Sequence, residues 1–213
     1  IAAMFVAAAL SWSNLPDRIP VNWGLHGEVD HYSGRFGGLL AVPLTVLGVY
    51  VLMLVMPLID PGRANYRNFG RAYNILRVSF VLVLSVIYFV ILAAAFGHHL
   101  DVPMIGMLSV AALFLVLGNF MGKIRPNWFI GVRTPWTLSS KLSWNKTHRL
   151  AGWLMTAMGA LFAIAAFVET TWAYITVFAL LCLSVTWMVI YSYVVYRHDP
   201  HRAPPAGTSP STE

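Results

Sequence analysis

Five stretches of this chain are apolar enough and long enough to cross a lipid bilayer: residues 38–59, 78–96, 103–121, 150–167 and 172–196. Spanning roughly 30 Å of hydrocarbon takes about 20 apolar helical residues. Inside lipid a chain must satisfy its own backbone hydrogen bonds, so these blocks restrict the fold before any finer signal is read. A sixth apolar stretch, IAAMFVAAALSW at residues 1–12, is too short to span. It reads as a first transmembrane helix that lacks its start. The other reading is the remnant of a cleaved signal peptide, with Ala7, Ala8 and Ala9 at the cleavage site. Five helices alone would leave the two halves unmatched, which favours the helix. The expectation is an all-α, polytopic transmembrane bundle of about six helices.

Composition agrees. Residues are 58% hydrophobic and only 10% charged, against about 25% charged in soluble domains, and mean hydropathy is +0.68. The net charge of +6 could suggest nucleic acid. No basic run stands free of the membrane blocks, so the charge reads as cytoplasmic anchoring instead. Taking the loops alternately, twelve lysines and arginines fall on one side, in 60–77, 122–149 and the tail. Only Arg18 and Arg35 fall on the other, with Asp17, Glu28, Asp30, Asp101 and Glu169. Basic residues stay in the cytoplasm, which places both termini on the cytoplasmic side of the membrane. The single cysteine, Cys182, lies in an apolar run and reads as a small buried hydrophobe.

In the first cytoplasmic loop Arg63, Arg67 and Arg71 recur every four residues, with Tyr66, Phe69, Tyr73 and Leu76 on a neighbouring face. That pattern predicts a short interfacial helix, arginines towards headgroups and aromatics in the acyl boundary. The external loop 13–37 is punctuated by Pro16, Pro20, Gly24, Gly27 and Gly34. Such punctuation predicts a folded cap rather than a loose strap. Its candidate ligand-binding residues are Trp23, His26, Asp30 and Tyr32. The tail, 199–213, is rich in Pro, Gly and Ser and reads as disordered.

The connection that begins GNFMGKIRPNWFIGVRTPWTLSS at Gly118 is far more elaborate than a linker needs. Gly118 and Gly122 have the small-xxx-small spacing that lets helices approach closely. Asn119, near the inner end of its helix, is expected to face the bundle. Pro126 and Pro135 forbid regular helix, while Trp128 and Trp136 suit the headgroup layer. Arg133, between Gly131 and Pro135, offers a planar fork to phosphates or stray carbonyls. Trp144, His148 and Gly152 then share one helix face. Arg133 and His148 are expected to meet, directly or through Asn127 or Trp144. A structural reentrant connection and a cytoplasmic docking site both fit. Lys123, Thr134 and Arg149 complete the candidate motif.

Metal binding is conceivable through His26, His31, His98 and His99 with Glu28, Asp30 and Asp101. No compact ligand motif appears, and solvated loop histidines are the preferred reading. Catalysis and cofactors find no support, since no Gly-x-Ser-x-Gly elbow or phosphate-binding loop occurs. The helices contain almost no ionisable residues, which also argues against an ion-coupled transporter.

With KLSWNKTHRLAGW following it, the connection resembles the SdpI family of bacterial membrane immunity proteins. The upstream LPDRIPVNWGLHGEVDHYSG resembles a domain of uncharacterised function that often precedes that region. The resemblance implies six helices divided as 1–97, 98–198 and the tail. It also implies immunity to a membrane-active peptide outside, combined with signalling through a cytoplasmic regulator. Membrane lipids are the remaining expected partners, with no direct contact to nucleic acid. A transporter or flippase-like protein for an amphipathic substrate, and a non-catalytic scaffold subunit, are the alternatives. One departure stands out. Relatives commonly carry an acidic residue where this chain has Lys141, which is expected to weaken a helix start at Ser139 or Ser140.

Overall fold

The computed structural model describes residues 1–202; residues 203–213, most of the tail read as disordered, fall outside them. In chain order the elements are α1 (Ala2–Ser11), β1 (Ile19–Trp23), β2 (Val29–Ser33), α2 (Arg35–Ile59), α3 (Tyr66–Ala95), α4 (Val102–Met121), α5 (Pro135–Ser139), α6 (Lys141–Val168) and α7 (Thr171–Arg197). A 3-10 turn, Arg63–Asn65, precedes α3. Among the described residues five helices are long and apolar enough to cross a membrane: α2, α3 with its leading turn, α4, α6 and α7. The chain is a multi-pass membrane protein. At ten residues α1 reaches only about 15 Å, half the hydrocarbon thickness.

Between α1 and α2 the expected cap is a two-stranded antiparallel ribbon, with Ile19 paired to Ser33 and Trp23 to Val29. The positive φ of Gly27 closes its turn. At the opposite end the expected short interfacial helix is instead the first part of α3, continuous across a kink at Phe69. Its aromatic stripe does not face lipid. Tyr66, Phe69, Tyr73 and Leu76 are buried in protein, against Met53, Met121, Ile124 and Trp144. The amphipathic period was real, and its apolar side found a protein partner instead of acyl chains.

Two internal prolines shape α2. Pro57 has no N–H to offer the carbonyl of Met53, four residues back. The Tyr73 hydroxyl donates to that carbonyl instead, so the gap becomes a tie between α2 and α3.

The most extensive helix pairing is between α4 and α6. A Cβ on Gly118 would lie 2.8 Å from the Gly152 carbonyl, and one on Gly152 would lie 2.9 Å from the Gly118 carbonyl. Only glycines allow this backbone approach. Gly122, the other half of the expected pair, is not at the tight crossing; a Cβ there meets only the Arg149 Cα at 3.9 Å. Cys182 is exposed on α7 rather than buried, as is Asn119 on α4. In a bundle this apolar, the lipid-facing surface is as hydrophobic as the core, so hydrophobic context alone did not distinguish the two.

Buried side chains fall into three groups. One, at the basic end, draws on α2, α3, α4, α6 and α7 together. At the ribbon end the core divides. Met4, Ile19, Leu39 and Tyr88 gather α1, β1, α2 and α3, while Met158, Ala165 and Val177 join α6 to α7, with Phe114 of α4 against them. The molecule therefore has two arms that share a core at one end only.

Candidate functional site

At the basic end, residues 122–140 turn back over the helix ends. Asn127, 2% exposed, organises the first bend. Its side-chain carbonyl accepts from the N–H groups of Phe129 (2.9 Å) and Ile130 (2.6 Å). Its amide donates to the carbonyls of Arg125 (2.9 Å) and Ile130 (3.0 Å). An Asn that mimics backbone in this way fixes a turn that Pro126 alone would only permit. The Trp144 indole donates to the Ile124 carbonyl at 2.9 Å, anchoring the segment on α6.

Asp60, absent from the sequence-based candidates, ties this bend to the α2–α3 loop. The carboxylate is 2% exposed. It accepts from the Gly62 N–H at 2.6 Å, the Tyr66 hydroxyl at 2.9 Å and the Trp128 N–H at 3.1 Å. Beside it the Asn65 amide donates to the Pro126 carbonyl at 2.7 Å. The available signal was a lone acid in an otherwise basic loop, followed by Pro61 and Gly62. Asp-Pro-Gly is turn chemistry, and a carboxylate there can accept the amides a turn exposes.

His148 receives the next bend, but not through Arg133. The Val132 N–H donates to His148 Nε2 at 3.1 Å. The other ring nitrogen, Nδ1, lies 2.8 Å from the Trp144 carbonyl. Accepting at Nε2 places the proton on Nδ1, so the ring is neutral and both nitrogens are occupied. The imidazole stacks on the Trp144 indole with centroids 4.0 Å apart. This histidine has no free position for a metal or a proton acceptor; it is a latch for backbone. Gly131 makes the latch possible: its φ is +110°, and a Cβ would lie 2.2 Å from His148 Nε2.

Arg133 is exposed and donates to the Trp128 carbonyl. It does serve a stray carbonyl, as its fork suggested, yet it does not meet His148. Thr134 and Pro135 start α5 in a capping box, the Thr134 hydroxyl accepting from the Thr137 N–H at 3.2 Å. The Thr134 and Ser192 hydroxyls lie 3.0 Å apart, and Trp136 packs on Tyr193 at 5.1 Å between ring centroids. Ser140 then caps α6, accepting from the Ser143 N–H at 2.9 Å. Lys141 does not displace the cap. The Ser140 hydroxyl also donates to Asp199; that bond, with the His201 N–H, holds the Asp199 carboxyl below the usual carboxylate range. Ser140 is one of the two helix starts the sequence offered, but its partner Asp199 and Ser192 were missed, because these pairings cross about 50 to 60 residues of sequence. The result is a folded clasp whose exposed face carries Lys123, Arg125, Arg133, Lys141, Lys146 and Arg149.

The ribbon end is differently built. Beneath β1 lies a cavity of about 650 Å³ between the two arms. Its walls are Ile87 and Ile91 of α3, Pro103, Ile105, Gly106 and Met107 of α4, Phe162 of α6 and Phe178 of α7. Trp23 lines it, with Asn22, Gly24 and Leu25. His26, Asp30 and Tyr32 do not; His26 is exposed in the turn, and Asp30 and Tyr32 are exposed on β2. His98 and His99 are exposed beyond α3. Among the described residues no three His, Cys, Asp or Glu side chains gather as metal ligands.

Comparison with known proteins follows this division. Residues 123–192, from the clasp into α7, match the SdpI/YfhL protein family. Residues 1–47, carrying α1, the ribbon and half of α2, match a domain of unknown function, DUF1648. A curated relative, immunity protein SdpI of Bacillus subtilis (strain 168), is 24% identical over 204 residues covering 92% of each chain. No solved structure matches the chain. The SdpI/YfhL match thus falls on the clasp and the helices that follow it, and the DUF1648 match on the ribbon and the helices beside it.

Proposed function

We propose that this protein confers immunity to a membrane-active peptide by binding it, without a chemical step, at the ribbon end. The supporting observation is the similarity to an immunity protein over 92% of each chain, through both ribbon and clasp. On this reading the ribbon end faces outwards and the basic end lies in the cytoplasm of a bacterial cell membrane, as the distribution of lysine and arginine favours. The two-armed core gives binding a route inwards. A ligand seated between the arms biases their spacing, and the shared core transmits that bias to the clasp. The clasp, with its six exposed cations, then suits an acidic surface on a cytoplasmic regulator, which makes signalling the second half of the role.

The test is expression of the full chain in a peptide-sensitive bacterial host challenged with the toxin made by producer strains of related bacteria. Survival rising with membrane abundance is the expected result. Equal killing with and without the protein, at verified membrane levels, would overturn the immunity reading.

A further inference from the structure

We propose that the cavity beneath the ribbon is the receptor site for a cationic amphipathic peptide. One apolar face of the peptide enters between α3 and α7, and its positive charge meets the acidic residues of the ribbon end, Asp101 and Glu169 among them. This rests on the reading that the ligand is a peptide, and it adds where the peptide sits and which charge it carries. Of the sequence candidates only Trp23 marked the place, because the other walls come from four helices.

Size and chemistry both support the assignment. About 650 Å³ lies within the usual range of ligand sites, roughly 300–1,000 Å³, and holds several large side chains. The walls are apolar, with Ile91, Met107, Phe162 and Phe178 among the lining residues. A polar handle is present at Tyr174, and Asp101 directly precedes the lining residues Val102 and Pro103 at the start of α4. The ribbon end as a whole is acidic. It carries Asp17, Glu28, Asp30, Asp101 and Glu169 against Arg18 and Arg35, and Arg35 is already paired with Asp17 at 3.1 Å. An acyl chain would satisfy the walls but has no use for the carboxylates, and anionic headgroups would be repelled by them. Apolar walls at an acidic end of the molecule match a cation-bearing amphipath. The site also lies where the core divides, so an occupant can spread the arms without breaking a shared buried cluster.

The full chain in phosphatidylcholine nanodiscs tests this with two fluorophore-labelled helical peptides, one of Leu and Lys and its twin of Leu and Glu. Gly106 lines the cavity, and a Cβ there meets nothing within 4 Å. Gly106→Leu therefore fills the site without a backbone clash. Asp101→Asn with Glu169→Gln removes the charge; Asn keeps the cap that Asp101 supplies to the Met104 N–H. Above the binding to empty discs, the Leu/Lys peptide should bind wild type and the Leu/Glu twin should not. Gly106→Leu should weaken binding about tenfold. The carboxyl pair should weaken it about threefold and abolish most of its salt dependence. Thermal midpoints within the wild-type range establish that each variant is folded; should Gly106→Leu fail this, the carboxyl pair and the two peptides still decide. Equal binding of both peptides, or unchanged binding in the folded variants, overturns the site. So does spin-labelled phosphatidylcholine that is immobilised by wild type and released by Gly106→Leu while peptide binding is unchanged. Cell survival separates the two levels: protection that persists in both variants sinks this site and leaves immunity standing. Cavity-dependent binding without protection does the reverse.

Discussion

Gly131 and His148 show how one backbone angle decides what a motif can do. At φ +110° an L side chain is strained, and the Cβ would also collide with the imidazole at 2.2 Å. Gly131→Ala should therefore cost about 1–3 kcal/mol from conformation alone, with a further loss as the Val132 amide is pushed off His148. Gly70→Ala, a helical site with nothing within 4 Å of its Cβ, should leave the thermal midpoint unchanged or raise it. Equal midpoints for Gly131→Ala and wild type in detergent would refute the latch. Part of this was legible. The spacing of Pro126, Gly131 and Pro135 foretold a connection folding back on the helix ends, and Trp144, His148 and Gly152 are buried on one face as expected. The partner of His148 was not legible, because it is the amide of Val132, and a backbone N–H carries no residue-specific signal. Arg133 drew attention by its fork, yet the group beside it made the contact.

At the scale of elements, α3 is the clearest case of a period read correctly and placed wrongly. Its stripe of Tyr66, Phe69, Tyr73 and Leu76 was visible in the sequence, but a lipid-facing and a protein-facing stripe look alike when both solvents are apolar. What distinguishes them is polar: Tyr66 donates to Asp60, and Tyr73 donates to Met53. The second bond exists because Pro57 leaves the Met53 carbonyl without its helical partner. Tyr73→Phe should thus cost about 1–3 kcal/mol, the penalty for an unsatisfied buried carbonyl. In a Pro57→Ala background an amide is restored at position 57, and the same Tyr73→Phe change should cost much less. Unfolding of the four proteins in a double-mutant cycle measures the difference directly. Additive effects would mean that the hydroxyl does not stand in for the missing amide.

For the whole molecule, the apolar blocks fixed where the helices run to within a few residues at most ends, while the beginnings of α3 and α6 reach much further back than hydropathy alone suggested. Hydropathy could not reveal these beginnings, because Arg67, Arg71, Lys141 and Lys146 are helical yet too polar to count towards a span. Nor could it reveal that the core is shared at one end and divided at the other, since helix pairing depends on small-residue contacts such as Gly118 with Gly152. The same charges that hid the helix starts predict how the protein is oriented. Twelve of fourteen lysines and arginines lie in the segments of the basic end and the tail, and moving so many across a membrane during insertion is strongly disfavoured. Asp30 and Arg133 are both exposed at opposite ends, so cysteines placed there can report the orientation once Cys182, itself exposed, is replaced by alanine. A membrane-impermeant maleimide applied to intact cells should label Asp30→Cys and spare Arg133→Cys, with Arg133→Cys reacting only after permeabilisation. Labelling of position 133 from outside would invert the molecule. The cavity would then open towards the cytoplasm, and a peptide arriving from outside could not reach it.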